Sequence, residues 1–175
     1  MNTSGIVTLI SDMGTKDYFL ASVKGAILSE YQEAKIIDVS HEVDPFDISQ
    51  AAFILKNCYA DFPKGTIHLI GINPEISIDV NHVLVKHNNH YFIGADNGIF
   101  SLLFEEIPKE IFELSIEQST DDLTFPMRDV FVKAACHLLR GGTPELISKK
   151  QNTRKQVMAF QPVINEDSIR GAVIY

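Results

Sequence analysis

The sequence predicts an α/β fold: a mostly parallel sheet flanked by helices, followed by the start of a β-rich C-terminal domain. Apolar runs alternate with amphipathic segments through residues 6–72, in the order strand, helix, strand, helix, strand. Each segment has the length expected of βαβ units in a parallel sheet. The chain has 175 residues, 45% of them hydrophobic, which is enough for one core of ordinary size.

The first half of the chain contains the strands and helices of this alternation. Apolar residues recur at helical spacing after the first and second strands, so each helix is expected to bury one face. Pro45 disfavours helix at the residue before it, and Asp47 is expected to cap the second helix. The predicted elements are a strand at 6–10, a helix at 17–30, a strand at 35–39, a helix at 48–59 and a strand at 66–72.

The second half begins with a predicted hairpin, because two extended segments flank the polar pair Asn88-Asn89. A later helix is expected to end at Gly141-Gly142. The polar, basic stretch 149–155 is expected to be an exposed segment or linker. The predicted elements are strands at 80–86 and 90–93, a helix at 98–104, a strand at 111–114, a helix at 129–140 and a strand at 169–175.

The final strand indicates where the chain divides into domains. A lone strand needs partners, and the helix that precedes it already closes an α/β unit. We therefore predict an α/β domain at residues 1–150 and a linker at 151–167. Residues 168–175 would be the first strand of a C-terminal β domain that is otherwise absent from this sequence.

Composition excludes several classes of protein. The formal net charge is −8, and the 15 basic and 23 acidic residues are mixed, which argues against a nucleic-acid partner. No apolar run is long enough to span a bilayer, so no membrane partner is expected. The N-terminus lacks the basic and apolar regions of a signal peptide, which favours the cytoplasm. Cys58 and Cys136 fall in predicted helices and are expected to be reduced core thiols.

Several familiar catalytic and metal-binding patterns are missing from the sequence. It has no G-x-G-x-x-G after the first strand, no P-loop lysine motif and no G-x-S-x-G elbow. His82, His87 and His90 lie across the predicted hairpin without a firm ligand spacing. They are expected to be surface histidines, and no metal or cofactor is predicted.

The loops after the first three strands hold the candidate ligand-binding residues. Right-handed crossovers would bring these loops to one edge of the sheet, where open α/β sheets bind ligands. The first loop carries Asp12, the second spans residues 40–47, and the third is Asn73-Pro74-Glu75. These residues are far apart in sequence, and we expect them to share one cleft.

Six short motifs occur in an order and at spacings that resemble one known family. They are Ser11-Asp12-Met13-Gly14 with Asp17, Val23-Lys24-Gly25, Asp38 to Glu42, Phe62 to His68, Ala95-Asp96-Asn97-Gly98, and Thr124-Phe125 with Arg128-Asp129. The series resembles the S-adenosylmethionine hydroxide adenosyltransferase family, which is related to the fluorinase and chlorinase enzymes. The resemblance covers nearly the whole chain, although each motif alone is weak.

The resemblance implies a fold, an assembly and a chemistry. It implies an α/β N-terminal domain, a β-rich C-terminal domain and a homotrimer with each active site between subunits. It also implies attack of water, hydroxide or halide on the 5′ carbon of the ribose, with methionine leaving. S-adenosylmethionine would then be the substrate, and no cofactor is needed. The protein would mainly orient the substrate and aim the nucleophile.

The resemblance also implies roles for individual residues. Asp12 would accept hydrogen bonds from both ribose hydroxyls, unless it is a helix-capping or loop aspartate. Phe46 would pack on the nucleoside, or be an ordinary core residue. Asn97 would line the pocket, or be a turn residue with positive φ. Phe125 and Met127 complete the expected substrate-binding set. Two further positions, Lys24 and the Arg128-Asp129 pair, are expected to be structural.

The sequence departs from the family where the hydrolases activate water. Asn73 replaces an aspartate of the family, and Pro126 replaces a histidine. Near the position of the family arginine the chain has Asp79 and no arginine. Neither an amide nor a proline can act as a base. Met127 and Ile76 would also make the nucleophile corner more apolar and more filled.

Two hypotheses follow from this pattern. The protein is a hydrolase in which Asn73 still orients water and Glu75 or Asp79 serves as the base, or it is an inactive module that binds S-adenosylmethionine or adenosine.

Overall fold

The computed structural model describes residues 3–74, 80–106, 108–116, 125–151, 155–157, 163–165 and 167–171. Seven strands form one sheet in the order β2-β1-β3-β5-β4-β6-β7. They are β1 (Ile6–Ser11), β2 (Lys35–Ser40), β3 (Ile67–Gly71), β4 (His82–His87), β5 (His90–Ala95), β6 (Glu110–Leu114) and β7 (Ser148–Gln151). β1, β2, β3 and β5 run parallel, whereas β4 is antiparallel to β5 and β6, and β7 is antiparallel to β6. The predicted α/β class is confirmed.

Helices cover both faces of the sheet. They are α1 (Phe19–Glu30), α2 (Ile48–Lys56), α3 (Ile99–Leu103) and α4 (Val132–Leu139). One core cluster joins β1 and β3 to α1 and α4 through residues such as Leu9, Val23 and Ala135. A second cluster joins the other face to α2 and α3 through residues such as Leu55 and Phe100. Because α1 and α2 lie on opposite faces, the strand order reverses at β1 and β3, the switch point where such sheets bind ligands.

Local signals in the sequence set several element ends as predicted. The Asp47 side chain accepts hydrogen bonds from the backbone N–H groups of Ser49 and Gln50 and so caps α2. Asn88 and Asn89 both have positive φ, at 50° and 63°, as a two-residue turn between β4 and β5 requires. α4 is followed by Gly141, whose φ is 84°, a conformation that glycine adopts without strain.

The structure corrects some predicted boundaries. The predicted helix at 48–59 ends at Lys56, and a 3-10 turn at Tyr59–Asp61 follows. The predicted helix at 129–140 begins as a π-helical turn, Met127–Phe131, which continues into α4. The stretch 149–155 has exposed lysines as expected, but its first residues belong to β7, whose backbone pairs with β6. A paired edge strand with solvated side chains has no apolar alternation, so the sequence pattern missed it.

The C-terminal region contains a small hairpin. β8 (Val163–Ile164) pairs antiparallel with β9 (Ile169–Arg170). β9 lies within the strand predicted at 169–175, and residues 172–175 of that strand lie outside the described residues. The domain boundaries proposed from the sequence therefore stay a prediction.

The prediction that the hairpin histidines lie on the surface is wrong for His82 and His90, which are each 4% exposed. The reason is that helices cover both faces of the sheet, so side chains on both faces are buried in the first four residues of β4 and throughout β5. His87 is half-buried and lies against Phe104, with 4.3 Å between ring centroids. Of the two free cysteines, Cys136 is buried and Cys58 is partly buried.

A buried polar chain crosses the sheet near the amino ends of its parallel strands. Thr8 Oγ1 lies 2.7 Å from His68 Nδ1, and His68 Nε2 lies 3.1 Å from His90 Nδ1. The His68 ring also stacks on Phe92, with 4.7 Å between centroids. Burial, reinforced by the neighbouring His90, lowers the pKa of His68 to about 3. Both imidazoles are therefore neutral near pH 7 and contribute to the core rather than to a metal site.

Candidate functional site

The loops that follow β1, β2 and β3 lie at one edge of the sheet, which is the position of the predicted cleft. Ser11 pairs with Gly71 of β3, and Ile10 pairs with Ser40 of β2. The loops that follow these strands therefore leave the sheet side by side, although they are about thirty residues apart in sequence. Asp12, the 40–47 loop and Asn73 lie at this edge, as the crossover argument predicted.

Asp12 joins the first loop to the second. Its Oδ2 accepts a hydrogen bond from the backbone N–H of Phe46 at 2.9 Å. Its other oxygen, Oδ1, has no hydrogen-bond partner within the described ranges. The side chain is only partly buried, so this carboxylate has spare acceptor capacity that a ligand could reach. Asp12 does not cap α1, because the residue before that helix is Tyr18 and α1 has no side-chain cap.

Phe46 presents an exposed aromatic ring beside this carboxylate. Its side chain is 66% exposed, so the alternative that Phe46 is an ordinary core residue is wrong. Its φ is 66°, a left-handed conformation that is uncommon for a bulky residue. The bond to Asp12 and a bond from the Ile48 N–H to the Phe46 carbonyl hold it there. Backbone strain of this kind clusters at ligand-binding sites.

Asn73 lies two residues after the end of β3, and neighbouring side chains hold its backbone. Its φ is 42°, which asparagine tolerates better than most residues. Asn97 Nδ2 donates to the carbonyl oxygens of Ile72 at 3.0 Å and Asn73 at 3.4 Å. His82 Nε2 bonds to the Pro74 carbonyl at 2.7 Å, and burial lowers the pKa of His82. These contacts fix the backbone that carries the Asn73 amide.

The Asn97 side chain therefore supports the backbone after β3, and Asn97 does not itself adopt a turn conformation with positive φ. It is absent from the residues with positive φ, and Gly98 takes that conformation instead, with a φ of 107°. The Asn97 Oδ1 accepts the Ile99 N–H at 3.2 Å at the start of α3. The alternative that Asn97 is a turn residue with positive φ is wrong, and its amide connects β3 to α3.

Two methionines fill the space beside Gly71, at the end of β3. Met127 is fully buried, and a side chain at Gly71 would overlap its Sδ. The Cε of Met13 also lies 3.2 Å from that position. Gly71 is thus required by the close approach of thioether side chains to β3. The expectation of an apolar, filled corner at Met127 agrees with this packing, whereas Ile76 lies outside the described residues.

The last motif borders the cleft through aromatic and ionic contacts. Phe125 is partly buried and meets Phe19 edge-on, with 5.4 Å between centroids. The Arg128 guanidinium lies 5.3 Å from the Phe125 centroid. Arg128 also donates from Nε and Nη2 to the two carboxylate oxygens of Asp129, at 2.6 Å and 3.0 Å. Arg128 and Asp129 thus form the structural pair that the sequence predicted.

Lys24 is also engaged within the fold. Its Nζ donates to Asp38 Oδ2 at 2.6 Å. Burial raises the pKa of the Asp38 carboxyl, but the Lys24 hydrogen bond and charge, together with the nearby His41, outweigh this effect and keep the pKa below its ordinary value. The structural role predicted for Lys24 agrees with this ion pair.

The positions expected to activate water carry no ionisable side chain where the structure describes them. Asn73 has a neutral amide, and Pro126 is a buried proline directly before the π-helical turn. Glu75 and Asp79, the substitute bases suggested by the sequence, lie outside the described residues. Among the residues that the structure describes, no three metal-ligating side chains converge.

The sequence did not assign a role to Ser11 or His41, which lie beside the site. Ser11 Oγ is 2.7 Å from His41 Nδ1, and both residues are buried. Both lie in motifs that follow a strand, but a buried polar pair thirty residues apart has no signal in local spacing. The site as a whole offers a carboxylate, an exposed aromatic ring and a filled thioether corner, a set suited to a sugar diol and a flat ring.

Known proteins resemble this chain in both sequence and structure. Residues 7–148 match the family model for the SAM hydroxide adenosyltransferase N-terminal domain. An (R)-S-adenosyl-L-methionine hydrolase from Methanocaldococcus jannaschii is 32% identical over 140 residues, covering 77% of this chain and 53% of the relative. A fluorinase from Actinopolyspora mzabensis is 22% identical over 199 residues, covering 96% of this chain and 66% of the enzyme.

The structural comparison gives the same fold. The crystal structure of an uncharacterized conserved protein from Thermotoga maritima superposes with a TM-score of 0.83 at 27% identity. It covers 93% of this chain and 64% of that protein. The described part of the chain contains no helix with the length and apolar character needed to cross a membrane.

The extent of the match defines what is similar. The chain spans about half the length of the curated hydrolases it matches, 53% and 58% for two of them. The family model covers most of the chain, from the first strand to the start of β7. This match, together with the hydrolase from M. jannaschii, shows that the chain belongs to the SAM hydroxide adenosyltransferase family through its N-terminal domain.

Proposed function

We propose that the protein binds S-adenosylmethionine at this cleft and hydrolyses it to adenosine and methionine. The observation that carries the proposal is the hydrogen bond from the backbone N–H of Phe46 to the Asp12 carboxylate, which holds that carboxylate next to a residue that is 66% exposed. The names of the curated relatives, which include several (R)-S-adenosyl-L-methionine hydrolases, favour this substrate.

Ribose binding follows from the acceptor capacity of Asp12. A cis-diol presents two O–H donors, and a carboxylate has two oxygens with several lone-pair sites. Oδ2 already accepts the Phe46 N–H, but it keeps room for a second donor, and Oδ1 can accept the other hydroxyl. The Phe46 ring would then pack against the nucleoside, and Phe125 would border the same pocket.

The reaction is a substitution at the ribose C5′. The oxygen of water forms a bond to C5′, and the C5′–sulfur bond breaks with its electron pair moving to sulfur. Methionine leaves as a neutral thioether, and the attacking water loses its proton. Because the leaving group is already good, orientation and desolvation of the water supply much of the acceleration. We propose that the Asn73 amide orients that water and that Glu75 or Asp79 accepts its proton.

A binding module without catalysis is the second candidate, and the filled corner favours it. Met127 and Met13 occupy the space beside Gly71, and Asn73 and Pro126 cannot accept a proton. Such a protein would keep the hydrogen bonds from the ribose hydroxyls to Asp12 and bind S-adenosylmethionine or adenosine without turnover. The two candidates share the binding residues and differ only in product formation.

Product formation separates the two candidates. Purified protein is incubated with S-adenosylmethionine, and adenosine is measured by chromatography. The hydrolase proposal predicts adenosine above the uncatalysed background, with the Asp12→Ala variant strongly reduced. Asp61→Ala is the matched control, because Asp61 is an exposed carboxylate before β3, at the opposite edge of the sheet. Parent protein that gives no adenosine above background at high concentration contradicts hydrolysis.

Calorimetry with S-adenosylmethionine and adenosine tests binding. Both candidates predict that Asp12→Ala binds at least tenfold more weakly than the parent, while Asp61→Ala binds like the parent. A parent that binds neither ligand, or an Asp12→Ala variant that binds equally well, contradicts the site itself.

The assembly is also part of the proposal. We propose a homotrimer in which a neighbouring subunit completes each pocket, since Phe46 and Tyr18 are both 66% exposed beside the cleft. Light scattering coupled to size-exclusion chromatography measures the mass directly. A monomeric mass at micromolar concentration contradicts this assembly.

A further inference from the structure

A chain of polar side chains runs behind the cleft and joins the loops after β1 and β2. Ser11 Oγ lies 2.7 Å from His41 Nδ1. His41 Nε2 lies 3.2 Å from Asp38 Oδ1, and Lys24 donates to the other oxygen of Asp38 at 2.6 Å. Ser11 is fully buried and His41 is 4% exposed. Buried polar groups of this kind are costly unless they are paired.

An irregularity in β2 brings this chain together. The pairing of β1 with β2 shifts between Leu9 and Ile10, so that Val39 is an extra residue in β2. An extra residue of this kind bends a strand and re-aims the side chains around it. The bend at His41 follows directly, and its imidazole then reaches both Ser11 and Asp38. The His41 carbonyl also accepts the Gly14 N–H at 2.8 Å.

The composition of the chain resembles a catalytic triad, but its geometry does not. A nucleophilic serine must reach the substrate, whereas Ser11 is fully buried on the last residue of β1. The His41 Nε2 is buried and close to Asp38 without the alignment of a hydrogen bond. These side chains are therefore suited to holding the loop residues in position and not to reacting with a substrate.

We propose that His41 is a positioning residue that holds Asp12 and Phe46 in their ligand-binding arrangement. Ser11 directly precedes Asp12, and His41 lies on the same loop as Phe46. The other side-chain contacts between these loops within the described ranges are exposed: Thr15 to Glu42 at 3.0 Å and Asp12 to the Phe46 N–H. The buried Ser11–His41 bond is thus the link that solvent cannot replace.

The β1 strand offers a matched control for this bond. Thr8 also makes a buried 2.7 Å hydroxyl contact to a histidine Nδ1, that of His68, but it lies three residues earlier and away from the cleft. Ser11→Ala and Thr8→Val each remove one such contact. We expect both variants to lower the midpoint of urea unfolding to a similar extent. Only Ser11→Ala should weaken adenosine binding, by about three- to tenfold, as expected for one net hydrogen bond.

A second pair of variants tests His41 itself. In His41→Asn the side-chain amide takes the place of Nδ1 and keeps the bond to Ser11, whereas His41→Ala removes it. We expect His41→Asn to restore most of the affinity that His41→Ala loses. If Ser11→Ala and Thr8→Val change both stability and affinity equally, or if His41→Asn binds no better than His41→Ala, the positioning role is wrong.

This inference rests on the proposed function, so one measurement is made without ligand. Hydrogen exchange of the Phe46 amide, followed by NMR, reports the bond from that N–H to Asp12. Ser11→Ala should accelerate this exchange severalfold relative to Thr8→Val. If the parent binds no nucleoside, the proposed function fails, and unequal exchange still supports the positioning role. Equal exchange rates in the two variants overturn it.

Discussion

Acid should destabilise this protein through His68. The imidazole is fully buried between Thr8, His90 and Phe92, and burial, with the adjacent His90, lowers its pKa from 6.5 to about 3. In the unfolded chain the same histidine titrates near 6.5. Between these two values the unfolded state binds one more proton than the folded state. The contribution of the neutral, buried His68 to the free energy of unfolding is therefore fully present above pH 6.5 and is lost progressively as the pH falls towards 3.

The size of the effect follows from this difference in proton binding. One proton bound only by the unfolded state lowers the free energy of unfolding by about 1.4 kcal/mol for each pH unit. At pH 5 the protein should therefore be about 2 kcal/mol less stable than at pH 7 through His68 alone. His82 and His90 also have pKa values that burial lowers, so they act in the same direction. The free energy of unfolding of a typical domain is only about 5–15 kcal/mol in total, so this loss is a substantial part of it.

Urea unfolding followed by circular dichroism at several pH values measures this slope. The variant His68→Gln isolates one residue, because its amide can still hydrogen-bond to Thr8 or His90 but does not titrate. Between pH 4.5 and 6 the parent should lose stability more steeply than the variant, by about 1.4 kcal/mol per pH unit. Carboxylates and His82, which is not a hydrogen-bond partner of His68, contribute equally to both proteins. Parallel slopes for parent and variant would refute the assignment of acid sensitivity to His68.

Three further substitutions have defined outcomes. Asp47→Ala removes the cap of α2, which accepts two backbone N–H groups, and should cost about 1 kcal/mol in urea unfolding; no change would mean that water replaces the cap. Met127→Ala leaves a cavity beside Gly71 and should cost about 2–5 kcal/mol in the same assay; a smaller loss would show that the corner collapses. Asn73→Asp combined with Pro126→His restores ionisable groups, and aspartate tolerates the positive φ of Asn73. This double variant should release adenosine faster than the parent, and an unchanged rate would show that more than these groups has diverged.

Most of the fold could be predicted from the sequence because its signals are local. The alternation of apolar runs and amphipathic helices fixed β1 to β3, and Asn88-Asn89 and Asp47 carry their turn and cap chemistry in their own side chains. The strand β7 was not predicted, because an edge strand with exposed lysines has no apolar pattern. The burial of His82 and His90 was not predicted, because it depends on helices from other parts of the chain that cover both faces of the sheet.

The candidate site was predictable in location but not in detail. Strand ends placed Asp12 and Asn73 at one edge, since parallel topology follows from element order. The bond from the Phe46 N–H to Asp12 and the link from Ser11 to His41 depend on loop conformations, including a positive φ and an extra residue in β2. Neither has a signature in residue spacing, so the coupling of the two loops emerged only from the structure.

The π-helical turn at Met127–Phe131 determines which residue before α4 packs against Gly71. A π-helical turn holds one residue more than the α-helical turn it replaces. Deleting one residue there would restore regular helix and rotate everything before it by about 100° around the axis. Met127 would turn away from Gly71, while α4 would keep its packing on α1. One insertion or deletion at this turn is thus a simple route by which related chains can exchange one pocket wall for another.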